Sequence, residues 1–172
     1  MGLLSRLFKT ESEKDKLEIQ FEEGSIYAPV RGTIIRLEEL EDGVFSEGVL
    51  GQGCGIIPEE EVIKAPISGT VSTVAESLHA VGITGDNGAE LLIHVGVDTV
   101  MMNGKGFEVF AAEGEHVSCG QELLTFSKAA IKHAGYKDTV IVVVTNSSEY
   151  HNTEICASGN IGSMEKVIQL KK

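Results

Sequence analysis

Two histidines, His79 and His94, are the side chains of this sequence best suited to chemistry, because they flank a strong hairpin signal. Imidazole is a good nucleophile near neutral pH, and only its neutral form attacks. The apolar runs 79–84 and 89–95 surround Gly85-Asp86-Asn87-Gly88, whose Gly and Asn residues accept the positive φ angles of tight turns. With Asp86-Asn87 as a two-residue loop, Gly85 faces Gly88, Thr84 faces Ala89 and His79 faces His94; a four-residue loop gives the same register. Directly opposed residues have Cβ atoms roughly 4.5–5.5 Å apart, so both imidazoles would meet on one face. Alternation sends Leu91, Ile93 and Val95 to the core, with Glu90, Leu92 and His94 on the other side. One imidazole can then attack while its neighbour holds a tautomer or steadies an attached phosphoryl group. Phosphoryl transfer needs mainly positioning and electrostatic support, which a shallow two-histidine site can supply. The competing reading is a structural pair of half-buried strand histidines.

The elements that must hold this pair are strands. Short apolar runs at 30–37, 54–57, 67–74, 79–84, 90–95, 107–111, 122–126 and 139–145 alternate with turn signals, and residues 128–134 allow one or two helical turns. There are 20 glycines, 3 prolines and no tryptophan, the composition of a turn-rich β protein. Ala28-Pro29-Val30-Arg31-Gly32-Thr33-Ile34 returns as Ala65-Pro66-Ile67-Ser68-Gly69-Thr70-Val71, with Pro expected at a strand start and Gly at a turn or bulge. The expected fold is therefore all-β: an antiparallel β-sandwich of pseudo-symmetric hairpin repeats with minor short helices.

Residues 1–24 read as an N-terminal amphipathic segment and charged linker, and 25–172 as one globular domain. In MGLLSRLFK, Leu3, Leu4, Leu7 and Phe8 share a helical face opposite Arg6 and Lys9. Two readings stay open for residues 1–9: a weak membrane-surface helix, or a terminus that folds onto the domain. Residues 17–21 have strand character. No apolar run approaches the roughly 18 residues that span a bilayer. The net charge of −12 opposes a nucleic-acid partner and favours basic protein partners. Cys54, Cys119 and Cys156 share no close spacing, and no secretory signal precedes them, so they read as reduced thiols in the cytosol.

The segment Glu90-Leu91-Leu92-Ile93-His94-Val95-Gly96-Val97-Asp98-Thr99-Val100, followed by Asn103-Gly104-Lys105-Gly106-Phe107, resembles the active-site signature of the glucose-family IIA components of the bacterial sugar phosphotransferase system. The likeness runs from about Ser25 to the C-terminus and takes in Val44-Phe45-Ser46-Glu47 and Glu113-Gly114-Glu115-His116-Val117. It implies a phosphotransferase component that needs no cofactor. Phospho-HPr would donate to Nε2 of His94, and a cysteine on the IIB domain of a sugar permease would accept. It assigns His79 a supporting role, with the Ser77 hydroxyl available to orient it. Asp98 would sit at the rim for basic donor residues, and Phe45, Val49, Leu92 and Val100 would form the apolar docking surface. Some relatives regulate other proteins according to phosphorylation state, at times with a Zn²⁺ held by both histidines. Some also carry an amphipathic N-terminal membrane helix, which would place this chain at the inner face of the membrane.

Two rivals are weaker. His94-x-x-x-Asp98 has the spacing of one half of a zinc peptidase site, but the companion H-x-H is missing, since His116, His133 and His151 stand alone. The stretch 113–124 resembles a turn of lipoyl or biotinyl carriers, but the hairpin tip holds Asp86-Asn87 and no lysine.

Overall fold

The computed structural model describes residues 21–172. The segment 1–9, and all but the last residue of the strand expected at 17–21, lie outside the described residues. In chain order the first strands are β1 (Ser25–Tyr27), β2 (Gly32–Arg36), β3 (Gln52–Pro58), β4 (Val62–Lys64), β5 (Gly69–Val74), β6 (Ala80–Gly85) and β7 (Glu90–Val95). The rest are β8 (Phe107–Val109), β9 (His116–Val117), β10 (Glu122–Phe126), β11 (Val140–Val144), β12 (Asn152–Ile155), β13 (Asn160–Ile161) and β14 (Lys166–Lys171). One short helix, α1 (Lys128–His133), stands where one or two helical turns were expected; Ser127 caps it by accepting the Ala130 N–H. Among the described residues no helix is long and apolar enough to cross a membrane.

The strands pair antiparallel throughout, in an eight-stranded sheet ordered β13-β2-β3-β11-β7-β6-β5-β9 and two three-stranded sheets, β1-β14-β12 and β4-β10-β8. The main core, with Ile26, Ile63, Ile83, Ile93, Leu124, Val142 and Ile168 in it, draws on all three sheets and makes the molecule a β-sandwich. The opposite face of the large sheet carries a second, smaller core of Leu37, Leu40, Phe45, Ile141 and Val143. The β-branched run of β11 is therefore buried on both faces, which is why it shows no alternation. The chain between β2 and β3 folds over this second face and brings Phe45 to it. Cys54, Cys119 and Cys156 are all free thiols.

The sequence repeat is a structural one. Tyr27 N–H donates to the Pro66 carbonyl (3.1 Å) while Lys64 N–H donates to that of Pro29 (2.9 Å), so the two copies exchange equivalent hydrogen bonds. The prolines lie in bends just ahead of β2 and β5, and it is the glycines that open these strands. A Cβ on Gly32 would lie 2.0 Å from the Ile57 carbonyl oxygen, and one on Gly69 would lie 2.2 Å from that of Thr84. Both copies keep glycine because the neighbouring strand's backbone occupies the space of a side chain.

Candidate functional site

The β6–β7 hairpin differs from expectation by one residue: Ala80, not His79, is opposite His94, and Thr84 is opposite Glu90. The loop has three residues, because Gly85 N–H bonds to the Ala89 carbonyl (2.7 Å). Gly88 takes φ +89°, and the Asn87 side-chain oxygen accepts the Ala89 N–H at 3.0 Å. This local bond makes an odd-length loop as good as an even one. The alternation along β7 is as expected: Leu91, Ile93 and Val95 are buried in the main core, while Leu92 and His94 are half-buried on the other face.

The two imidazoles meet nevertheless, with ring centroids 4.7 Å apart and planes at 85°. His79 lies just before β6, after Leu78 in the left-handed region at φ +60°, so strict strand alternation does not govern its side chain. Its carbonyl accepts the Val95 N–H (2.8 Å), which ties it to the end of β7.

His94 Nδ1 lies 2.8 Å from the Gly96 carbonyl oxygen. A carbonyl can only accept, so Nδ1 carries the proton and the lone pair of the neutral ring resides on Nε2. Phe45 packs against the same ring, with centroids 5.0 Å apart and planes tilted at 59°. Burial pushes the His94 pKa down to about 4, with the His79 ring adding to the effect; the Gly96 carbonyl, Asp42 and Asp98 pull weakly the other way. His79 is also held below the ordinary histidine range by burial, which the backbone at Ser77 partly counters. Both rings are thus neutral at physiological pH. His79 Nδ1 is buried without a hydrogen-bond partner.

Ser77 does not act as expected. Its hydroxyl makes no hydrogen bond to the buried His79 Nδ1, and its influence on the ring comes through its backbone. Asp98 is exposed at the rim, at φ +61°. Val49 and Val100 are exposed, at 73% and 48%, as are Val44, next to Phe45, and Met101, next to Val100, at 45% and 67%. Leu92 is half-buried against the small core that contains Phe45, whereas Phe45 itself is buried and forms a wall of the site.

Sequence reasoning missed two residues that build this site. The Asp42 carboxylate accepts the N–H groups of Val44 (3.2 Å), Phe45 (3.2 Å) and Ser46 (2.9 Å), fixing the loop that presents Phe45 to His94. Burial alone would raise its pKa, but those three N–H donors outweigh it and hold the carboxyl low. The signal was an Asp-Gly turn opening the segment 42–46. The second is Gly96, quoted in the signature but assigned no task. Its φ is +83°, and a Cβ there would lie 2.3 Å from Thr99 Cγ2 and 2.8 Å from the Lys137 carbonyl oxygen.

A pH prediction follows from the buried ring. The unfolded chain binds a proton on His94 below about pH 6.5, while the folded chain refuses it until about pH 4. Stability is therefore lost as pH falls through that window and is unaffected by this group above it. Urea titrations at pH 7 and pH 5 should show wild type losing roughly 2 kcal/mol more than His94→Gln. Equal losses in the two proteins would contradict this assignment.

Fold and site together define a class: an antiparallel β-sandwich presenting two neutral imidazoles at an apolar lip. The family model for the phosphoenolpyruvate-dependent sugar phosphotransferase system, EIIA 1, matches residues 24–150, and the chain belongs to that family. It is 41% identical over 145 residues to a beta-glucoside-specific EIIBCA component of Bacillus subtilis, covering 84% of this chain and 24% of that one. It is 37% identical to a glucose-specific EIIA component of Staphylococcus aureus, covering 84% of each. The solved structure of glucose permease IIA from Mycoplasma capricolum superposes with a TM-score of 0.76 at 36% identity, covering 84% of this chain and 93% of that one. The chain spans about a quarter of the length of the EIIBCA relatives.

Proposed function

We propose that this protein is a phosphoryl carrier, taking the group from phospho-HPr on Nε2 of His94 and passing it to the IIB domain of a glucose-family permease during sugar uptake. The observation that supports this reading best is the His94 Nδ1 to Gly96 carbonyl bond, which commits one ring nitrogen and frees the other at an apolar lip. In-line attack by Nε2 forms its bond to phosphorus as the donor's phosphorus–nitrogen bond breaks. The Nδ1 proton stays in place, and the Gly96 carbonyl meets the positive charge that develops on the ring. His79 then donates a hydrogen bond to the incoming phosphoryl oxygen. Transfer to IIB reverses the process, with a cysteine thiolate as the nucleophile.

The apolar rim of Val44, Val49, Val100 and Met101 excludes water while the partners are docked, and exposed Asp98 offers a charge to a basic donor. The EIIB portion named in the EIIBCA relatives supports a IIB acceptor. On this reading the chain works in the cytoplasm beside its permease. A Zn²⁺ ion at a partner interface would find two nitrogens here. Zinc takes four ligands, and among the described residues no three His, Cys, Asp or Glu side chains cluster, so the partner would supply the others.

The test is reconstitution with phosphoenolpyruvate, enzyme I and HPr, followed by a panel of IIB domains. Wild type should acquire acid-labile phosphate and lose it to one or more IIB domains. His79→Gln should still charge but discharge at least about tenfold more slowly, because an unsupported phosphoryl group lacks a donor in the transition state. A wild-type protein that never charges would overturn the carrier reading, and a His79→Gln protein that discharges at the normal rate would remove the supporting role.

A further inference from the structure

Thr99 is completely buried at the start of a 3-10 turn, and its hydroxyl donates to the Val95 carbonyl. That carbonyl belongs to the peptide whose N–H, on Gly96, donates to the Thr139 carbonyl at 2.8 Å. The next peptide presents the Gly96 carbonyl to His94, and its N–H, on Val97, donates to the Lys137 carbonyl at 3.1 Å. Two consecutive peptides are thus held at both ends, the Val95 carbonyl by Thr99 and the Gly96 carbonyl by His94 itself. Its methyl group also fills the space beside the Gly96 Cα, where a Cβ would come within 2.3 Å of it. Val95 N–H bonds to the His79 carbonyl, so the hydroxyl of Thr99 steadies a residue that follows His94 in the chain and is bonded to His79.

We propose that Thr99 is a positioning residue: its hydroxyl orients the Val95–Gly96 peptide so that the Gly96 carbonyl holds His94 as the Nδ1–H tautomer with Nε2 free. The proposal builds on the carrier reading for its effect on rate, but the tautomer it specifies is a property of the resting protein. Without the hydroxyl, the Val95 carbonyl is buried and unpaired, and the turn must shift to satisfy it. A small displacement of the Gly96 oxygen is enough to release the ring, and misplaced reacting groups lose rate steeply.

The experiment compares wild type, Thr99→Val, Thr99→Ala and Thr99→Ser by ¹⁵N NMR of the His94 ring and by the rate of phosphoryl uptake from phospho-HPr. Thr99→Val keeps the shape and removes the hydroxyl; Thr99→Ala provides the same comparison if the valine protein does not fold. Wild type and Thr99→Ser should show one Nδ1-protonated tautomer. The hydroxyl-free variants should show mixed tautomers and about tenfold slower uptake. A hydroxyl-free variant with the wild-type nitrogen spectrum would overturn the proposal, as would Thr99→Ser behaving like Thr99→Val. If wild type takes up no phosphate, the carrier reading fails while the nitrogen spectra still decide the role of Thr99.

Discussion

Replacing His94 by glutamine should leave a folded protein that takes up no acid-labile phosphate, a loss beyond about a thousandfold in the rate of charging. Glutamine nearly matches the length of the imidazole, with its amide where Nε2 stood, so the Gly96 carbonyl loses the Nδ1 donor while the pocket beside Phe45 stays filled. It has no ring nitrogen with a free lone pair, and an amide does not attack phosphorus. Because the side chain is half-buried beside Phe45, the expected cost to stability at neutral pH is about 1 kcal/mol. Loss of charging would therefore not be a folding defect, and thermal melts of both proteins would check this. Phosphate retained at the wild-type level would place the nucleophile elsewhere. Peptide mapping would then show whether His79, 4.7 Å away between ring centroids, is the carrier.

Gly96→Ala should be the most damaging single methyl addition near the site. Its left-handed φ of +83° costs a side chain about 1–2 kcal/mol. The new Cβ would also press on the Lys137 carbonyl and on Thr99, a backbone atom and a fully buried side chain with little room to yield. Overpacking of this kind costs about 1–3 kcal/mol. Together these predict a loss of about 2–5 kcal/mol, or roughly 4–20 °C in Tm. Charging of His94 should slow as well, because relief of the clash moves the carbonyl that orients the ring. A Gly96→Ala protein with normal Tm and normal charging would show that the turn yields easily, contrary to the packing described here.

Much of this arrangement was legible in the residues. The alternation of β7 announced which side chains enter the core and which do not, because a pleated strand permits no other division once Leu91, Ile93 and Val95 are buried. The A-P-x-x-G-T repeat pointed to two related halves, and the paired bonds between Tyr27 and Pro66 and between Lys64 and Pro29 are how those halves join. The histidine pair was legible for a partly wrong reason. A two-residue loop puts His79 opposite His94, whereas the Asn87 side chain supports a three-residue loop that puts Ala80 there. The left-handed turn at Leu78 then returns the His79 ring to its partner. Short-range turn chemistry of this kind differs by little in energy between alternatives, so a linear reading chooses poorly among them.

By itself the sequence determined the all-β architecture, the repeat, and the chemical identity of the pair: two imidazoles at the ends of an apolar hairpin. Periodicity and residue type carry that information because they act over a few residues. Only the tertiary structure decided which nitrogen of His94 is free, how far burial drops its pKa, and that Phe45 walls the site while Val44, Val49, Val100 and Met101 are displayed. Those properties come from Gly96, Thr99 and Thr139 meeting across β7 and β11, and from Asp42 folding a distant loop over the ring. Burial and hydrogen-bond geometry are sums over neighbours far apart in the chain, and they exist only once the strands have closed on one another.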